Sequence, residues 1–336
     1  MFKFVAVVSV TCLLASCFAS VALAQSDEVH ITPLEAKHPH AISTSDAGGI
    51  ADPELRTHTK PLRKDVDLVL VPVTVTDPAT RLVMGLEKGS FVLLENGQPQ
   101  LIRSLSTEDA PISLGVIFDV SGSMVDKIDQ ARQAVVEFFR TANPEDEFFL
   151  VTFSDQPQVL VNFTSSVDDI QNRLPSAVPQ GATSLLDAIY LAVSRMRQAH
   201  NDRKALLIIS DGGDNHSRYT EDEIADMVRE ADVQIFAMGI VERGAKTPEE
   251  LHGPELLGEI TGATGGQTFF IHSPRELAPV ATQIGLELRN EYLLGYQPTN
   301  PARDGRWRKI KVKVNPPAGS PPLHVYARAG YYAAAE

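Results

Sequence analysis

Between residues 112 and 290, short apolar runs alternate with segments of helical periodicity, and this alternation restricts the possible folds more than any other feature of the chain. The runs 112–119, 148–153, 205–211, 233–240 and 268–271 read as strands, with a further edge strand expected at 159–163. Strands separated by helices cannot pair as hairpins, so they build a largely parallel sheet with helices on both faces. Ile128, Ala131, Val135 and Phe138 form one stripe at helical spacing, and Leu185, Ile189, Val193 and Met196 form another. Both stripes are expected to pack on the sheet as core.

Three strand–helix junctions carry oxygen-bearing loops. Phe118-Asp119-Val120-Ser121-Gly122-Ser123-Met124 places one carboxylate and two hydroxyls at alternate positions. Alternate residues of an extended segment point the same way, so Asp119, Ser121 and Ser123 converge if the turn curls around a point. A hard cation with oxygen ligands suits such a point. Alone the pattern is weak, because Asp, Ser and Gly are ordinary turn residues. It gains weight from Gly181-Ala182-Thr183-Ser184 before a helical pattern and from Ile208-Ile209-Ser210-Asp211-Gly212-Gly213 after another strand. In an open α/β sheet, ligands bind outside the carboxyl ends of the strands, and Asp119 and Asp211 both end strands there.

The set Asp119, Ser121, Ser123, Thr183 and Asp211 resembles the metal-ion-dependent adhesion site of von Willebrand factor type A (VWFA) domains, in residue type and order. The resemblance covers roughly residues 110 to 290. It implies a Rossmann-like, doubly wound, mostly parallel sheet with Mg²⁺ (or Mn²⁺) at the carboxyl ends of its strands. It also implies binding of a protein or peptide that offers an exposed Asp or Glu to the ion. Ser121 and Ser123 would bind the ion through their hydroxyls, while Thr183 and one of the two aspartates would bind directly or through water. Neutral hydroxyls and only two carboxylates leave the ion a net positive charge, which a partner's acid can neutralise. The flanks, "VMGLEKGSFVLLENGQPQLI" before and "YLLGYQP" with "WRKIKVKV" after, are similar to those of VWFA-related proteins common in Acidobacteria.

A competing reading is that these Ser, Thr and Asp residues only cap helices, as such residues routinely do; it accounts less well for five matched positions. Asp187 reads either as a support for the metal loop or as an acid favoured by the helix dipole. Asp214, Asn215 and His216 read as a solvated turn on the rim, and imidazole has little use in a hard oxygen site.

The flanks are β-rich. Val69, Val71, Val73 and Val75 alternate in one strand, with Pro72 pointing to an edge or a bulge. Phe91 to Glu95, the turn Asn96-Gly97 and then Leu101-Ile102 read as a hairpin. Ile310, Val312 and Val314 alternate with Lys311 and Lys313, a half-buried strand opened by Trp307, which is expected in the core. Neither flank has enough strands to fold alone. The expectation is therefore one small β-sandwich, residues 65–108 and 291–336, with the type A domain, residues 109–290, inserted in it.

Residues 1–24 carry Lys3, an apolar run and the ending Ala22-Leu23-Ala24, the pattern of a cleaved export signal. The run falls short of the ~20 apolar residues that span a membrane, so no transmembrane segment is expected in the mature chain. Leu14-Ala15-Ser16-Cys17 also resembles a lipobox, which leaves a lipid anchor at Cys17 as the alternative to a periplasmic or secreted product. Both cysteines, Cys12 and Cys17, lie in this segment. Residues 25–64 read as a flexible linker, with His30, His38, His40 and His58 at spacings that fit no metal site.

The net charge of −13 argues against nucleic acid as a partner. No H-E-x-x-H, G-x-S-x-G or P-loop pattern occurs, and none of the five site residues is a His, Glu or Lys. The sequence thus points to an exported, non-enzymatic, metal-dependent binding module. The alternatives are an envelope scaffold whose metal serves stability and, more distantly, a metal-assisted hydrolase.

Overall fold

A computed structural model describes residues 68–107, 109–211, 213–241, 247–316, 319 and 321–335. The export segment 1–24 with Cys17, and the linker 25–64 with its four histidines, lie outside the described residues.

The chain begins with β1 (Val69–Thr76), β2 (Phe91–Glu95), β3 (Gln98–Gln100) and β4 (Ile102–Ser106). An α/β segment follows: β5 (Ile112–Asp119), α1 (Ile128–Phe139), β6 (Glu147–Phe153), β7 (Pro157–Thr164), α2 (Val167–Arg173), α3 (Leu185–Met196), β8 (Arg203–Ser210), α4 (Glu221–Glu230), β9 (Gln234–Ile240), α5 (Pro248–Thr264), β10 (Thr268–Ile271) and α6 (Leu277–Arg289). The chain closes with β11 (Tyr292–Tyr296), β12 (Trp307–Val314), β13 (His324–Ala327) and β14 (Gly330–Tyr332).

The α/β segment is a six-stranded sheet in the order β10-β9-β8-β5-β6-β7, parallel except for the antiparallel edge strand β7. Every residue of β5 is buried, which is why its sequence is apolar from Leu114 to Phe118. One face of the sheet packs Val116 and Phe118 against Val135, Phe138 and Ile284 of α1 and α6. The other packs Ile117, Phe149 and Val151 against Ile189 of α3, Ile224 of α4 and Leu257 of α5. Gly115 has no room for a side chain, because the Phe149 ring and the Leu206 side chain fill the space a Cβ would take. Both expected helical stripes are buried.

The flanking strands form two four-stranded sheets, β13-β1-β11-β4 and β14-β12-β2-β3. Val71, Val73, Leu294 and Tyr296 of the first face Phe91, Leu93 and Ile310 of the second across a shared core. The chain leaves the sandwich after β4 and returns in β11, which pairs with β4 and β1 on its two sides. Within the core the Glu95 carboxylate accepts hydrogen bonds from the hydroxyls of Tyr296 (2.7 Å) and Tyr331 (3.0 Å). Trp307 is half-buried and meets Tyr332 edge-on at 5.0 Å rather than entering the core.

Two local expectations are corrected. The strand returning from the Asn96-Gly97 turn is Gln98–Gln100, whereas Ile102 already belongs to β4 in the other sheet. Leu101, at the crossing, is exposed. Pro72 lies in a strand paired on both sides, yet β13 pairs only with Val73–Thr76, so the missing N–H falls where one side of β1 is open.

Sandwich and α/β segment fall in one compact unit, Arg63–Glu336. Glu291, between α6 and β11, ties them together. Its carboxylate accepts from Arg203 Nη2 (3.0 Å) and Gln234 Nε2 (2.6 Å), at the starts of β8 and β9, and from Thr74 Oγ1 of β1 (3.4 Å). Burial pushes Glu291 above the usual carboxylate range, with Arg203 opposing it. One turn earlier Glu287, fully buried, accepts from Gln267 Nε2 (2.6 Å) and Gln283 Nε2 (2.9 Å). Gln283 also donates to the Thr80 carbonyl of the β1–β2 loop.

Burial raises Glu287 from 4.5 to about 7. A carboxyl raised on folding stabilises fully below its unfolded value and loses that contribution as pH climbs through the folded value. Relative to Glu287→Gln, the wild-type protein should therefore lose on the order of 3 kcal/mol of stability between pH 4.5 and 8. Urea unfolding of both proteins across this range measures the difference, and parallel curves would refute it.

Candidate metal centre

The sheet order places β5 beside β8 at the point where the chain, having run from β5 out to β7, returns to build the opposite side. Crevices open at such switch points, beyond the carboxyl ends of the strands. The parallel register pairs Phe118 with Ile209, so Asp119 and Ser210 end their strands side by side. The Ser210 hydroxyl donates to Asp119 Oδ2 (2.6 Å), and the Ser121 amide donates to Oδ1 (2.8 Å). Asp119 is fully buried, Ser121 and Thr183 are buried, Asp211 is half-buried and Ser123 is exposed. The site is therefore graded from an inaccessible base to an open mouth.

The loop after β5 turns into a single 3-10 turn, Gly122–Met124, before α1. This curl brings the Ser121 and Ser123 hydroxyls to 3.1 Å from each other. Backbone hydrogen bonds join the loop to the one before α3: the Gly122 amide donates to the Gly181 carbonyl (3.0 Å) and the Gln180 amide to the Val120 carbonyl (2.8 Å). Gly181 has φ +81, and a Cβ there would meet the Asp155 carboxylate at 2.7 Å. That carboxylate accepts from the Ala182 amide (2.7 Å), so only glycine suits the position.

Thr183 is fixed from a third loop. Its amide donates to Asn215 Oδ1 (2.9 Å), and its carbonyl accepts from the amides of Asn215 and His216. Asp214 Oδ1 accepts from the Leu186 amide and the Ser217 hydroxyl, which caps the start of α3. Asn215 and His216 are exposed, as expected of a solvated turn, and the same segment braces Thr183. Asp187 is buried and serves the same segment, accepting from the Arg218 amide and Nε and from the Tyr219 amide. Burial pushes Asp187 up, but these hydrogen bonds outweigh it and hold the carboxyl below its ordinary value.

The electrostatics centre on two carboxylates. Burial first, and the nearby charge of Asp211 second, raise Asp119 from 3.8 to about 7, against the lowering effect of its Ser121 and Ser210 hydrogen bonds. Lys127, buried just before α1, sets its ammonium 3.3 Å from Asp211 Oδ2. The Thr183 hydroxyl makes no hydrogen bond among the described residues. Two mutually repelling carboxylates and three hydroxyls form an all-oxygen set, which fits a hard divalent cation such as Mg²⁺. Asp119 and Asp211 share this crevice, Ser121 and Ser123 line the loop above Asp119, and Thr183 sits on the loop tied to it.

Three contributors were missed in the sequence: Ser210, Lys127 and Asn215. Ser210 directly precedes Asp211 at a strand end, a signal that becomes readable only once the β5–β8 pairing is known. Asn215 reads locally only as part of a rim turn, and nothing local marks Lys127.

Residues 114–213, from within β5 to just past Asp211, match the family model of the von Willebrand factor type A domain. The chain carries a type A domain. All five expected site residues lie inside the match, whereas the sandwich strands lie outside it. Among curated proteins, the inter-alpha-trypsin inhibitor heavy chain H4 of Bos taurus is 27% identical over 121 residues, covering 34% of this chain and 13% of its own. The heavy chain 4 of Mus musculus is 27% identical over 172 residues, covering 46% of this chain and 18% of its own. The chain thus spans less than a fifth of the length of either relative. Among solved structures, a von Willebrand factor type A protein from Catenulispora acidiphila is 13% identical with a TM-score of 0.47, over 79% of this chain and 74% of that one. Type A domains are typically protein-binding or adhesive modules.

The bond from Ser210 to a buried carboxylate has a measurable weight. Ser210→Ala should cost about 1–3 kcal/mol in urea unfolding of the metal-free protein. An unchanged midpoint would show that the hydroxyl does not support Asp119.

Proposed function

We propose that the protein is an exported binding module whose type A domain holds Mg²⁺ or Mn²⁺ and captures an acidic residue of a protein or peptide partner. The observation that carries this reading is the meeting of Asp119, Ser121 and Ser123 with the Thr183 and Asp211 loops at one strand-end crevice, buried at Asp119 and open at Ser123. Asp119 anchors the base, kept in one orientation by the Ser210 hydroxyl and the Ser121 amide. Ser121, Ser123 and Thr183 supply neutral oxygens, and Asp211 supplies the second carboxylate. Bound there, a divalent cation supplies positive charge that a partner's carboxylate neutralises, a contact of the kind that dominates an interface.

Export is supported by Lys3, the apolar run and Ala22-Leu23-Ala24. Among the described residues no helix is long and apolar enough to cross a membrane. The net charge of −13 suits a cation better than a polyanionic partner.

Calorimetric titration of Mg²⁺ and Mn²⁺ into wild type and Asp119→Ala tests the metal half of the proposal. Saturable one-site binding, lost in Asp119→Ala, is the expected result. Absence of binding by wild type at millimolar cation would defeat it.

A further inference from the structure

Lys127 is an unusual residue to find beside a cation site. A positive charge next to metal ligands opposes the cation, and a lysine is seldom buried without a reason. Here its side chain is 7% exposed, that of Asp211 is 10% exposed, and ammonium and carboxylate stand 3.3 Å apart. The backbone of Lys127 is pinned on both sides. Its amide donates to the Met124 carbonyl (2.9 Å), and its carbonyl accepts from the Ala131 amide (2.9 Å) as α1 begins. The side chain reaches Asp211 on a four-carbon stem whose ammonium carries rotatable donors.

We propose that Lys127 is a built-in stand-in for the metal: in the cation-free protein its ammonium neutralises Asp211, and a divalent cation must compete with it for that carboxylate. The inference rests on the metal reading above. It gives Asp211 a counter-charge next to the buried Asp119. It also assigns Lys127 an affinity-setting role, because a tethered positive charge at Asp211 lowers affinity for every incoming cation. Lys127 is a positioning residue for Asp211, not itself a ligand.

The test is titration of Mn²⁺ into the full chain as wild type, Lys127→Met and Lys127→Arg, with melting curves recorded in chelator and in excess Mn²⁺. Lys127→Met should bind Mn²⁺ at least about tenfold more tightly, a difference well within calorimetric range. It should also melt lower than wild type in chelator and recover more on adding Mn²⁺. Lys127→Arg, which keeps the charge, should stay within a few-fold of wild type. If Lys127→Met does not fold in chelator, refolding it in Mn²⁺ but not in Na⁺ supports the proposal, and failure in both overturns it. Equal or weaker Mn²⁺ binding by Lys127→Met, with wild type binding normally, overturns this inference and leaves the metal reading standing. Binding by none of the three proteins overturns both.

Discussion

The confinement of Asp119 at the end of a strand buried on both faces sets the terms for the rest of the site. A carboxylate there is costly, because burial and the neighbouring Asp211 both oppose its charge. The surrounding residues answer that cost in layers: a hydroxyl from the adjacent strand, an amide from its own loop and an ammonium facing the second carboxylate. The two carboxylates remain under electrostatic tension. The site's loops are held by backbone hydrogen bonds to one another, so the tension is not relieved by the loops drifting apart.

The same economy of buried charge recurs where the α/β segment meets the sandwich. Glu291 gathers groups from β1, β8 and β9 at the point where the chain re-enters the sandwich, and Glu287 sits one helical turn earlier on α6. Arg289 adds an ion pair with the buried Asp146, whose carboxylate also receives the Ile112 amide at the start of β5. The last helix is thus fastened at its end to the first strands of both substructures. Its middle touches the β1–β2 loop through Gln283. The sandwich and the six-stranded sheet share this helix as a polar seam.

Much of the architecture was legible in the sequence, for local reasons. β5 and β8 are buried on both faces, so they read as apolar runs; α1 buries one stripe at helical spacing, and α3 buries its stripe together with most of its first two turns. The loop from Asp119 to Ser123 is short enough for its convergence to follow from strand alternation. Other elements were hidden. α4 begins with a capping box, Thr220 with Glu223, which is a local sign of this charged helix. α5 contains Pro254, Gly258 and Gly262, residues that argue against a helix, and packing of Leu256, Leu257 and Ile260 overrides them. The return strand at Gln98–Gln100 carries too little apolar pattern to be separated from β4.

The sequence by itself determined the class of sheet, the identity of the oxygen-bearing residues and their order along the chain, because periodicity and short-range turn chemistry are properties of neighbouring residues. Which distant residues share the crevice was decided only by tertiary structure. Ser210 reaches Asp119 because β5 and β8 pair in one register, and a slip of one residue would turn its hydroxyl to the opposite face. Asn215 braces Thr183 and Lys127 faces Asp211 because the chain returns to β5 from its other side. Those contacts bridge 32 and 84 residues of sequence, distances over which no local pattern carries information.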